Sequence, residues 1–191
     1  MMRSRWNFFG LSLLLFIIMM PVDSYAEDKV GPFGFGVGTS TILEVQQNLN
    51  SFACDFDNQS VINNGFLFKC DARVFDMEGL TDFVYFIFEN KVDQELRGAK
   101  LELANLTFNK EMYDSIVASL SSKYKLVSKH KAFVGDSYAR FKKDNVNILV
   151  ESPHMSFTMS VTYSTENFDK VHQEYKKRQS EENASKQKSQ L

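Results

Sequence analysis

Phe83 to Phe88 reads Phe-Val-Tyr-Phe-Ile-Phe, an unbroken apolar run that ends at the turn-forming Glu89-Asn90-Lys91. Its length and its aromatic and β-branched make-up predict a strand. Because every position is apolar, the strand is expected to be covered on both faces and to lie centrally in a sheet. Left exposed, such a segment would template aggregation. The rest of the chain must therefore build a sheet around it.

Before this run the period changes to two. Phe52, Cys54 and Phe56 alternate with Ala53, Asp55 and Asp57, and Phe66, Phe68, Cys70, Ala72 and Val74 alternate with Lys69, Asp71 and Arg73. With the turn signal Asn63-Asn64-Gly65 between them, the two runs predict a hairpin. Alternation places Cys54 and Cys70, the only 2 cysteines, on the core-facing side of adjacent antiparallel strands. An even pair so placed in an exported chain predicts a structural disulfide. Cys-x-x-Cys spacing and a charged neighbourhood that would favour a reactive thiolate are both missing. A further strand over Ala99 to Leu103 closes the first half.

Helices punctuate the strands. Thr41-x-x-Glu44 is a capping box, and Ile42, Val45 and Leu49 recur at helical spacing, which predicts a helix from Thr41 to Asn50. Asn109 caps a second helix with Met112, Ile116, Val117 and Leu120 on one face. Strands follow over Tyr138 to Lys142, Val146 to Glu151 and Phe157 to Tyr163, with a shorter one near Lys125 to Ser128. In the last strand Phe157, Met159, Val161 and Tyr163 alternate with Thr158, Ser160 and Thr162, as on a sheet with one wet face. The fold class is α+β, a mainly antiparallel sheet with helices on one face. Each half has one helix and three or four strands, and a period of about 70 residues fits a tandem α-β-β-β duplication with repeats at 31–105 and 106–165. From Glu166 the composition turns polar. Phe168, Val171 and Tyr175 make a narrow helical stripe, whereas Lys176 to Leu191 has no apolar periodicity, so 166–191 predicts a polar C-terminal helix or tail, solvated beyond Lys176.

Arg3 and Arg5 precede the apolar stretch Phe8 to Met20, and Ser24-Tyr25-Ala26 places small residues where a signal peptidase reads. This layout predicts a signal peptide over 1–26, whose apolar stretch is too short to span a bilayer as a helix, and a single exported α+β domain over 27–165. Its location is then periplasmic or secreted, with no stable membrane anchor after cleavage. The chain has 22 basic residues against 24 acidic ones. That balance carries no footprint for nucleic acid and none for an anionic membrane.

Gly31-Pro-Phe-Gly-Phe-Gly-Val-Gly-Thr-Ser-Thr41 resembles a phosphate loop at first sight, but no lysine follows until Lys69 and no buried strand precedes it. It is expected instead to turn the backbone, pack Phe33, Phe35 and Val37 inward and lead into the helix cap. Within it, Gly36-Val37-Gly38-Thr39-Ser40-Thr41-Ile42-Leu43-Glu44-Val45 is similar to the helix entry of small bacterial envelope proteins of the SmpA/OmlA type, the outer-membrane-assembly lipoproteins. The chain departs from that family in lacking the lipid-attachment cysteine and in its greater length. The resemblance implies an envelope scaffold or adaptor without catalytic residues.

A different resemblance points to a hydrolase. Phe133-Val134-Gly135-Asp136-Ser137 looks like the nucleophile block of GDSL-type esterases, and Asp169-Lys170-Val171-His172 like their Asp-x-x-His. These would supply Ser137 as nucleophile, His172 as base and Asp169 as its orienting carboxylate. Between Ser137 and His172 the chain has no glycine for the family's oxyanion-hole block, and Gly135-Asp136-Ser137 also reads as a turn before a strand. His130, His154 and His172 are isolated, so no metal site is expected, and no cofactor. The 18 phenylalanines offer a third reading, a carrier of an apolar ligand, against their simply filling the core. The expectation taken forward is a non-catalytic binding or adaptor protein of the cell envelope whose partner is another envelope or extracellular protein.

Overall fold

A computed structural model describes residues 29–49, 54–57, 66–89, 94–104 and 111–189. The expected signal peptide, Phe52, the Asn63-Asn64-Gly65 turn and the Asn109 cap lie outside them.

The first half runs from helix α1 (Ile42–Asn48) through strands β1 (Cys54–Asp57), β2 (Phe66–Asp71), β3 (Leu80–Phe88) and β4 (Leu96–Ala104). Helix α2 (Glu111–Ser121) opens the second, followed by β5 (Lys125–His130), β6 (Ser137–Lys143), β7 (Val146–Ser152) and β8 (Thr158–Thr165). Helix α3 (Glu166–Ser189) follows without a break. All pairings are antiparallel, and the order β1-β2-β3-β4-β8-β7-β6-β5 makes one 8-stranded sheet. Each half is thus a helix and a four-stranded meander, one strand more than the shorter of the two expected counts. The meanders meet along β4 and β8, from Gly98 opposite Ser164 to Ala104 opposite Thr158.

Strand alternation decides what is buried. Val84, Phe86 and Phe88 on β3, Leu101 and Leu103 on β4, and Ile148 and Val150 on β7 all point to one face. There Ile42 and Val45 of α1, and Tyr113, Val117 and Leu120 of α2, complete a single core. Fully burying a side chain of this size stabilises by about 1.5–3 kcal/mol, which is why the sheet and its two helices form together. Edge-to-face rings tighten it, Phe35 on Phe86 and Phe68 on Phe88, each pair at 5.6 Å. The phenylalanines of this cluster pack against one another as core.

The glycine stretch is the entry device expected of it. Its amides are used by the chain itself: Gly36 N–H donates to the buried Ser40 Oγ at 2.9 Å, Val37 N–H to Val30 O at 2.9 Å and Gly38 N–H to Leu96 O at 2.7 Å. Gly38 has φ 87°, a left-handed conformation that side chains resist. The capping box is half formed. Thr41 Oγ1 accepts from Glu44 N–H at 3.3 Å, but the Glu44 carboxylate binds Lys29, whose hydrogen bond holds it below its ordinary pKa.

Four expectations are corrected. β2 stops at Asp71 rather than continuing to Val74, because the Asp71 side chain accepts from Arg73 N–H at 2.9 Å and caps a 3-10 turn over Ala72–Val74. Only one face of β3 is sealed; Phe83, Tyr85 and Ile87 on the other are half-buried. Phe157 precedes β8 and is exposed instead of facing the core. The C-terminal helix reaches Ser189. Glu, Lys, Gln and Arg are good helix formers, and no glycine or proline interrupts residues 166–189.

Candidate functional site

The hydrolase residues are not brought together. Ser137 opens β6 and is buried on the core side, with Ala139 and Phe141 after it. Its hydroxyl has no hydrogen-bond partner among the described residues. Lys142, five positions further and therefore about 17 Å along the strand, points to the opposite face, where it pairs with Glu166 at the start of α3. Asp169 and His172 lie on that helix. Asp169 accepts from Asn147 Nδ2 at 2.7 Å, while His172 stacks on Phe168 with centroids 6.0 Å apart. Burial lowers the His172 pKa, with Lys176 acting the same way and Asp169 opposing. So the sheet itself stands between the serine and the histidine. Gly135 and Asp136 belong to the loop before β6, and Gly135, at φ 111°, is a turn residue.

Among the described residues no group of three or more His, Cys, Asp or Glu is placed to hold a metal ion. No helix among them is long and apolar enough to cross a membrane. Cys54 and Cys70 stand directly opposite each other in the β1–β2 register with Cα atoms 3.9 Å apart and sulfurs within bonding distance, so the pair is built to form a disulfide. Cys70 is sealed in the core. Its setting is structural rather than reactive.

What remains is the face of the sheet that α1 and α2 do not cover. One cross-strand row, Ile87, Gly98, Ser164, Asn147 and Lys142, is taken by the start of α3. Gly98 makes room there: a Cβ would touch Phe168 at 3.6 Å and the Tyr163 carbonyl at 3.4 Å. The next row crosses the whole sheet: Asp55, Lys69, Tyr85, Lys100, Thr162, Leu149, Arg140 and Ser128 pair in sequence from edge to edge, exposed at Asp55 and Arg140 and half-buried between them. Beyond it lie Phe83, Glu102 and Tyr138.

These side chains are arranged, not merely exposed. Lys69 Nζ sits 3.6 Å above the Phe83 ring and the Arg140 guanidinium 4.6 Å above Tyr138, while Lys100 binds Glu102 at 2.8 Å. Cation–π contacts of this kind shield apolar rings from water and fix their orientation. On β3 itself the Lys69 contact covers Phe83, which lessens the aggregation hazard of its half-buried face. Eight strands at about 4.8 Å spacing and two rows of side chains give a patch on the order of 500 Å². That is the scale of one side of a small specific protein interface.

Sequence reasoning missed this surface because it asked what covered β3 rather than what faced it. The signal was present in the alternation: Lys69, Lys100 and Arg140 recur at the outward positions of strands whose inward positions are apolar. A shallow groove of about 700 Å³, lined by Arg73, Phe75, Met77, Leu80 and Phe83, adjoins the patch at the β2 end. Arg73 there is engaged by the exposed Asp71, whose carboxyl it holds down to about 2.

No protein-family model matches this chain, and no curated protein or solved structure is significantly similar to it.

Proposed function

We propose that this is an exported, non-catalytic binding or adaptor protein of the cell envelope, periplasmic or secreted, whose partner is another envelope or extracellular protein held on the uncovered sheet face. The observation that carries the reading is the edge-to-edge row in which Tyr85 and Leu149 lie among Lys69, Lys100 and Arg140. Aromatic and arginine residues on a flat, preformed surface are the anchors that protein interfaces favour. Catalysis through Ser137 and His172 lacks support, since the two side chains occupy opposite faces of the sheet.

The test uses a photo-crosslinking residue at position 85, with one at Lys176 on the far, solvated part of α3 as control. The expected result is a discrete crosslinked protein from envelope extract at 85 and none at 176. Equal labelling, or none at either, refutes the docking face. Mass spectrometry of the exported material should give Glu27 as the first residue; a chain retaining its N-terminal segment in a membrane fraction would refute the compartment.

A further inference from the structure

Among the described residues, six of the 8 exposed large apolar side chains lie on the edge strand β5 or on the loops at one end of β5 to β8: Leu126, Val127, Phe133, Val134, Met155 and Phe157. They occupy β5, the loop between β5 and β6, and the adjoining loop between β7 and β8. Phe133 is 99% exposed and Met155 75%. The two loop tips act as one surface, because the His154 main-chain N–H donates to Asp136 Oδ1 at 2.7 Å. Scattered apolar residues on a surface need no explanation, but a tethered cluster marks a binding site.

The charge of the same hairpin narrows the partner. Between Lys123 and Lys143 it has 7 lysines and arginines against Asp136 alone, in a chain of net charge −2. Asp114 and Glu166 take up Lys131 and Lys142. Lys123, Lys125 and Lys129 remain exposed to solvent. An added protein strand is disfavoured here. The pairing of β5 with β6 is broken by a register shift between Leu126 and Ser128, and bulges and edge lysines are what blunt an edge against another strand. Protruding apolar tips backed by lysines suit a lipid surface instead, since a bilayer accepts a ring without a matching pocket.

We infer that this edge is a peripheral lipid-binding surface, which seats the protein on an anionic bilayer. Phe133 and Val134 enter the boundary between headgroups and acyl chains, Met155 and Phe157 lie beside them, and the hairpin lysines meet the phosphates. The inference rests on the loop tips and lysines of this hairpin and not on the protein-docking row, whose last two members, Arg140 and Ser128, it does not use.

The test is sedimentation of the exported protein with vesicles of phosphatidylcholine alone or mixed with phosphatidylglycerol. The expected result is binding to the anionic vesicles that weakens as salt rises. Phe133→Ser should weaken it by roughly tenfold, and Lys125→Gln with Lys129→Gln by more than about tenfold. Leu43→Ser, an exposed apolar position on α1, should leave it unchanged, and all variants should keep the parent melting temperature. Failure to bind anionic vesicles overturns the inference. So does equal binding by Phe133→Ser, which would return the edge to a protein partner, or equal loss in Leu43→Ser.

Discussion

Reduction of the Cys54–Cys70 pair should lower the melting temperature by about 6–12 °C. The sequence separation is 16 residues. Closing a loop of that size restricts the unfolded chain by about 3 kcal/mol in the entropy model, and a chain of this length shifts by roughly 2–4 °C per kcal/mol. The structure makes the loss local as well as global. β1 has four residues and pairs only with β2, at the edge of the sheet. Without the bridge it has few other ties, so its amides should exchange with solvent well before those of β7. Calorimetry with and without a phosphine reductant gives the shift, and Cys54→Ala should reproduce it without reductant. Thiol trapping of unfolded, non-reduced protein supplies the control. Two alkylated cysteines per chain, or a shift under about 2 °C on reduction, would refute the reasoning and leave packing as the only constraint on β1.

Truncation after Tyr175 should leave the melting temperature within about 2 °C of the parent, because the helix beyond it is almost wholly exposed; calorimetry checks this. Ser137→Ala should be neutral or stabilising by up to about 1 kcal/mol, since it removes a buried hydroxyl with no partner among the described residues, and denaturant unfolding would reveal a contrary loss. His172 is held below its ordinary value of 6.5, chiefly by burial. The neutral ring therefore contributes stability that is fully present above pH 6.5 and is lost as the pH falls from there through the folded value. Hydrogen-exchange protection over 166–175, taken relative to the unstructured chain at each pH, should fall across that window, and His172→Gln should remove that fall.

The parts of this fold legible in the sequence were those set by local chemistry. The core-facing side of Cys54 and of Cys70 followed from alternation within each strand, and the α1 start from the Thr41 cap, because each depends on residues within a few positions of one another. β3 was found but misjudged. Six apolar residues in a row normally mean two covered faces, yet the shield over Phe83 is Lys69, which reaches it from the neighbouring strand. Phe157 fits the alternation of β8, but the strand begins one residue later. The basic, apolar edge was hidden by averaging, since the acidic residues that offset its charge lie elsewhere in the chain. Its signal was available at hairpin scale, in Leu126, Val127, Phe133 and Val134 set among lysines.

The seam between β4 and β8 also governs how the chain is assembled. Gly98 must find Ser164, which the chain reaches only after β5, β6 and β7. Until then the first meander ends in a nine-residue strand, Leu96–Ala104, with one side unpaired. Long-range pairing of this kind is slow relative to hairpin closure. During the delay β4 is open to the β8 of another molecule, which would join two chains through exchanged halves while leaving every native contact intact. Crowded nascent chains should therefore give swapped dimers as their characteristic failure, with the same sheet seen twice.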